Sequence, residues 1–133
     1  MNAGDDVKQV IVFRGDLLSN KRVTVGKIAG QVAHAAMLWL ADRFKRCGAD
    51  VVMSDHERDW LCGSMSKIIV SCADEKEMRS LGELAIASGL ESHVVIDEGR
   101  TVFDNVPTAT CLVIGPALSS KIDTITKHLN LLR

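Results

Sequence analysis

The stretch Val25-Gly-Lys-Ile-Ala-Gly-Gln-Val-Ala-His34 carries three reactive or polar side chains at helical spacing. Lys27, Gln31 and His34 stand at i, i+4 and i+7, so a helix projects all three from one face. An ammonium, a carboxamide and an imidazole on one face can hold an anion or polarise a carbonyl oxygen. A lone helical histidine ordinarily serves packing, but a lysine and a glutamine aligned with it near the helix start point toward a ligand. Gly26 and Gly30 lie one turn apart on a neighbouring stripe. A glycine inside a helix costs about 1 kcal/mol against alanine, so each needs a reason. One reason is close packing on a sheet. The other is close approach of a ligand to the backbone, where the free N–H groups of a helix start attract anions.

A second group is Asp97-Glu-Gly-Arg-Thr101, placed directly after an apolar run. Acid, glycine and basic residues in series also make an ordinary turn. In an open α/β sheet, however, the loops beyond strand ends are where ligands bind. There Asp97 can serve as a general base toward water, and the guanidinium of Arg100 can meet a phosphate through paired donors. Thr108 and Thr110 precede or open the next apolar run and offer hydroxyls at the same level.

Other chemistries lack their residues. There is no Gly-x-Ser-x-Gly elbow, no phosphate loop ending Gly-Lys-Ser/Thr and no dinucleotide fingerprint. His34, His56, His93 and His128 show no close metal-ligand spacing. Cys47, Cys62, Cys72 and Cys111 form no Cys-x-x-Cys unit and read as reduced thiols of a cytosolic protein. No metal and no cofactor are expected. With no Tyr, three Phe and two Trp, a platform that stacks several bases is also unsupported.

The elements that must position these residues follow from apolar periodicity. Gln9 to Phe13, Lys67 to Cys72, His93 to Ile96 and Thr110 to Ile114 read as four short buried strands, the last ending at Gly115-Pro116. A long helix from about Val25 to Arg46 has Thr24 as its cap and Gly48 past its end. Its core stripe is Ile28, Val32, Ala35, Ala36, Trp39, Leu40 and Phe44. Shorter helices are predicted from Asp55 to Leu61, from Asp74 to about Ser88, and from Lys121 to about Leu129 with Ser119 or Ser120 as cap. Strands alternating with helices imply an α/β domain with helices on both faces of a mixed sheet. The third and fourth strands lack a helical crossover and are therefore antiparallel or non-adjacent.

The chain of 133 residues suits a single domain, 1–133, and 47% hydrophobic residues supply a core. No apolar run is long enough to span a membrane, and Met1 to Lys8 shows no export pattern. Sixteen basic and seventeen acidic residues leave a formal charge of −1, which argues against coating long nucleic acid. The charge is uneven: residues 1–46 hold eight basic and four acidic residues, the remainder eight and thirteen. That asymmetry is compatible with ordinary scatter or with a positive face for an anionic partner.

Taken in order, these segments resemble the type 2 peptidyl-tRNA hydrolase family of archaea and eukaryotes. The resemblance runs from Lys8-Gln-Val-Ile-Val-Phe-Arg-Gly-Asp-Leu17 through Gly26-Lys-Ile-Ala-Gly-Gln-Val-Ala-His-Ala35. It is strongest in Asp97-Glu-Gly-Arg-Thr101 and in Thr108-Ala-Thr-Cys-Leu-Val-Ile-Gly-Pro116. It implies a three-layer α/β/α sandwich with a mixed four-stranded sheet, often a homodimer, in the cytoplasm. The implied reaction hydrolyses the ester between a peptide and the 3′ ribose of tRNA, so peptidyl-tRNA is the implied partner. Positions matching the family's active residues are Lys27, Asp97, Thr101 and Thr110, and Gln31 and His34 match its first helix motif. Arg100, with Arg14, Lys21 and Arg22, then serves phosphate, and Thr108 adds a hydroxyl. Asp97, His34 and a Lys27-assisted water all remain open as the base. The alternative is a non-catalytic module of the same fold that binds tRNA ends or a protein partner. Relative to the family, the segment from Asp16 to Lys27 is longer, Gly30 replaces a common Ala, and Pro107 stands where Gly is usual.

Overall fold

The computed structural model describes residues 6–133. The expectation about an export signal in Met1 to Lys8 therefore falls largely outside the described residues, as does the charge of Asp5. The strands are β1 (Val7–Arg14), β2 (Lys67–Cys72), β3 (Ser92–Asp97), β4 (Thr108–Leu118) and β5 (Asn130–Leu131). The helices are α1 (Val25–Cys47), α2 (Asp55–Cys62), α3 (Glu75–Ala87) and α4 (Ser119–Thr126). Short 3-10 turns at Gly15–Ser19 and Gly48–Asp50 flank α1. Among the described residues no helix is long and apolar enough to cross a membrane.

The sheet is mixed, in the order β3-β4-β1-β2-β5. β1 and β2 are parallel, and β4 lies antiparallel between β1 and β3. The sheet therefore has five strands where four were expected. β5 pairs Val70 with Leu131 and Ser71 with Asn130, and Leu132 N–H donates to the carbonyl of Ile69 at 3.0 Å. A two-residue strand is too short to show an alternation. The same residues explain why α4 stops at Thr126, short of Leu129: the chain must turn back to reach β2. The N-cap position of α4 falls on Leu118, which has no side-chain cap bond, rather than on Ser119 or Ser120 as expected; Ser119 N–H donates to the carbonyl of Asp6 at 2.8 Å.

β4 also runs past Gly115-Pro116, because Ala117 and Leu118 pair with Lys8 and Val7 beyond a shift in register. Gly115 has φ +95, and a Cβ there would stand 2.8 Å from the carbonyl oxygen of Lys8. Only glycine fits that crossing. Alternate β1 residues enter two apolar clusters, as the pleat dictates. Val10 and Val12 pack with Met78, Leu81, Ala85, Ile122 and Ile125 of α3 and α4. Ile11 and Phe13 pack with Ala35, Ile28 and Val32 of α1.

The α1 stripe holds for Ala35 and Trp39 but not for Phe44, which is 58% exposed. A helix of 23 residues is about 35 Å long and overruns the eight-residue β1, about 26 Å, though not the eleven-residue β4. Trp60 is buried, edge-on to Trp39 at 6.2 Å, and donates its indole N–H to the carbonyl of Ser66. Arg43 forms a fork on buried Glu57, at 2.6 and 2.8 Å, and also meets Glu91. Burial pushes the Glu57 carboxyl up, but hydrogen bonds from Arg43 and Ser54 outweigh it and hold the group below the usual carboxylate range. Cys47 and Cys62 are exposed thiols, whereas Cys72 and Cys111 are buried.

Candidate active site

Because β1, β2 and β3 point the same way, their carboxyl ends share one edge of the sheet with the start of β4. Asp97, the last residue of β3, pairs with Thr108, and Phe13 near the end of β1 pairs with Cys111. The first turn of α1 comes down on this edge. Thr24 caps the helix by accepting from the Lys27 backbone N–H at 3.1 Å, which fixes where the Lys27 side chain starts. Lys27, His34, Ile96, Asp97, Glu98, Arg100 and Thr101 line one cavity of about 330 Å3.

At its centre Lys27 Nζ lies 3.0 Å from Asp97 Oδ1 and 3.5 Å from Thr101 Oγ1. Gln31 Nε2 donates to the same Asp97 oxygen at 3.2 Å. The backbone N–H of Gly99 donates to Asp97 Oδ2 at 3.0 Å. Burial raises the Asp97 pKa, but the hydrogen bonds from Lys27, Gly99 and Gln31 together outweigh it and hold the carboxyl below its ordinary value. The carboxylate is thus kept ionised and oriented at the wall of an open cavity. Lys27 has three donors, and Asp97 takes one of them.

Thr110 sits deeper. Its side chain is fully buried and its hydroxyl donates to Gln31 Oε1 at 2.5 Å. With its oxygen taken by Thr110, the Gln31 amide must turn its nitrogen toward Asp97. The Cys111 thiol donates to the backbone carbonyl of Gln31 at 3.5 Å, further tying α1 to β4.

The remaining expected residues divide. His34 is exposed on the cavity wall, one face-turn beyond Gln31. Arg100 is exposed and, among the described residues, paired with exposed Glu98 at 2.8 Å. Thr108 donates to the carbonyl of Val106 at 2.8 Å. Lys21 is exposed. Arg22 pairs with Asp104 at 2.9 Å and donates to the carbonyl of Thr101, so it latches the β3–β4 loop. Arg14 turns inward: it meets Asp16 at 2.6 and 3.1 Å, Glu75 at 3.4 Å and the carbonyl of Ala109 at 3.0 Å.

Three contributors were not singled out from the sequence. Gly99 supplies a backbone donor at φ +81, and a Cβ there would stand 2.1 Å from the carbonyl oxygen of Val106. Phe103 places its ring 5.7 Å from Lys27 Nζ, and Ile96 forms an apolar wall. The Gly99 role had a signal, since glycine follows the acid by two residues; Phe103 depends on how the loop folds back, and Ile96 on β3 being an edge strand. The two glycines of α1 resolve against the packing reason. A Cβ on Gly30 would meet nothing within 4 Å, and one on Gly26 only the Thr24 hydroxyl at 3.8 Å.

A family model described as Peptidyl-tRNA hydrolase PTH2 matches residues 7–132. The chain belongs to that family. The peptidyl-tRNA hydrolase of Methanopyrus kandleri is 43% identical over 126 residues, covering 95% of this chain and 98% of that protein. The peptidyl-tRNA hydrolase of Haloquadratum walsbyi is 36% identical over 125 residues, covering 94% and 99%. Peptidyl-tRNA hydrolase 2 of Saccharomyces cerevisiae is 34% identical over 129 residues, 95% of this chain and 58% of the yeast protein. Among solved structures, a protein of unknown function from Agrobacterium tumefaciens strain C58 aligns with a TM-score of 0.53. It is 14% identical and covers 96% of this chain and 98% of its own, a likeness of fold alone. Membership in the peptidyl-tRNA hydrolase family gives the Lys27–Asp97 cavity a substrate to be tested against.

Proposed function

We propose that this chain hydrolyses the ester joining a peptide, or an N-blocked aminoacyl group, to the 3′ ribose of tRNA. The observation that carries the reading is the Asp97 carboxylate, held by Lys27, Gln31 and the Gly99 N–H at the wall of an open cavity. A water bound against Asp97 loses its proton to the carboxylate as it attacks the ester carbonyl. Negative charge grows on the carbonyl oxygen, and a free donor of Lys27 meets it there. The Thr101 hydroxyl, beside Lys27, orients the water or the leaving ribose hydroxyl. Collapse of the tetrahedral intermediate expels the ribose oxygen, which regains a proton from Asp97.

Thr110 enters this scheme through Gln31, as a positioning residue. His34 lines the cavity where the substrate carbonyl or peptide passes. Arg100 exchanges its exposed partner Glu98 for a phosphate at little cost, since exposed ion pairs contribute about 0–1 kcal/mol. Lys21, exposed in the segment before α1, adds charge. These contacts grip backbone without reading bases. Arg14, already satisfied by two acids and a carbonyl, is assigned to holding the strand ends rather than to substrate. We read the two apolar clusters as the interiors of a three-layer α/β/α arrangement. The homodimer and the cytoplasmic location rest on the family resemblance, with unpaired thiols fitting a reducing compartment.

The test is hydrolysis of an N-acetyl-aminoacyl-tRNA by wild type beside Asp97→Asn and Lys27→Ala. Each variant should lose about a hundredfold to ten-thousandfold in turnover. Near wild-type rates in both would overturn the assignment.

A further inference from the structure

We propose that the peptide portion of the substrate binds as an added strand along the free edge of β3, running parallel to it. This subsite rests on the hydrolase reading above and extends it from the ester to the chain attached to it. β3 is the outermost strand of the sheet, and among the described residues it pairs only with β4. The carbonyl of Glu91 accepts from Gly115 N–H at 3.1 Å, so Glu91 faces β4. In an antiparallel ladder successive residues alternate between the partner and the opposite side. Ser92, Val94 and Ile96 therefore turn their N–H and C=O groups outward. The register shift does not disturb this alternation. Val95 pairs with Cys111 and Ile96 with Ala109, which leaves the extra residue, Thr110, on β4.

The edge leads straight into the site. Its last outward residue, Ile96, is 49% exposed and lines the cavity beside Asp97. The esterified carboxyl end of a peptide must lie at Asp97, so a peptide reaching back toward Ser92 runs in the direction of β3. From Ser92 to Asp97 the edge offers about 17 Å, room for about four or five extended residues. Across from it, Lys27 and His34 of α1 line the same cavity. Gly30 lies between them in sequence, exposed and with open space where a Cβ would be. Main-chain pairing on a sheet edge binds peptides largely without regard to side chains, which suits a substrate whose peptide can have any sequence.

The experiment uses the wild-type chain and four substrates of one tRNA. They are N-acetyl-alanyl-tRNA, N-acetyl-tetraalanyl-tRNA, and two versions of the latter with a single N-methyl on adjacent interior amides. Tetraalanyl substrate should show kcat/KM about tenfold above the single residue, the gain of a few edge hydrogen bonds. Only one of the two N-methyl substrates should lose that gain, because alternate amides face the edge. Equal rates for one and four residues, or equal loss from both methyl groups, would overturn the edge site while leaving the hydrolase reading intact. Absence of turnover with all four would remove the hydrolase reading and this one with it.

Discussion

Replacing Thr110 by valine removes one hydroxyl and nearly preserves shape, so its cost can be worked from the contacts of that hydroxyl. The group is the donor to Gln31 Oε1 at 2.5 Å, in a region closed to solvent. Leaving a buried acceptor without its donor costs about 1–3 kcal/mol. For a chain of this size that lowers Tm by about 3–10 °C. The second effect is on rate. Without Thr110 the Gln31 amide is free to turn, and Asp97 loses one of its three donors. A hydrogen bond to a charged group is worth about 1.5 kcal/mol, so kcat should fall about tenfold. KM for peptidyl-tRNA should not move, since Thr110 does not reach the cavity. Thr110→Ser should restore both quantities. The assay is initial-rate hydrolysis of N-acetyl-aminoacyl-tRNA over a range of concentrations, with thermal melts of the same preparations. An unchanged kcat beside a lowered Tm would refute the role of Gln31 orientation. A loss as large as that of Asp97→Asn would show the hydroxyl acting on the reacting atoms themselves.

Two further outcomes concern charged groups. The acid limb of kcat/KM should lie below about pH 3.9, the ordinary aspartate value, because Asp97 is held below it. A residual activity in Lys27→Met should show that limb moved to higher pH, and a limb already above pH 5 in wild type would contradict the assignment. Glu57→Ala leaves Arg43 without its forked partner and should lower stability by about 3 kcal/mol in chemical denaturation. Since the folded Glu57 pKa is lowered, this contribution is complete above the unfolded value and disappears as pH falls through the folded one. The difference between wild type and Glu57→Ala should therefore shrink below about pH 4.

The sequence shows the site's outline because its key residues sit on regular elements. Helical spacing places Lys27, Gln31 and His34 on one side of α1, and the end of a strand places Asp97 beside them. What spacing leaves open is depth: Gln31 is buried and His34 exposed, although three residues separate them. Only tertiary packing decides which side of the stripe is covered. Thr110 could be read as a rim hydroxyl because it begins an apolar run. It is buried because β4 lies between β1 and β3, a fact of topology. The inward turn of Arg14 has the same origin, as Glu75 is brought beside it by β2 and the start of α3. β5 was illegible for want of length. Phe44 fits the period of α1, yet it stays exposed near the helix end.

The four thiols divide in a way that serves as a tool. Burial pushes Cys111 up to about 12 and Cys72 up to about 11, so neither forms a reactive thiolate near neutral pH. Cys47 and Cys62 are exposed, and Cys47 ends the helix whose first turn holds Lys27, about 30 Å away. A maleimide dye should therefore attach at those two positions and spare the catalytic edge. Removing Cys62 would leave one reporter at a known distance from the cavity, able to register an arriving tRNA without touching the chemistry.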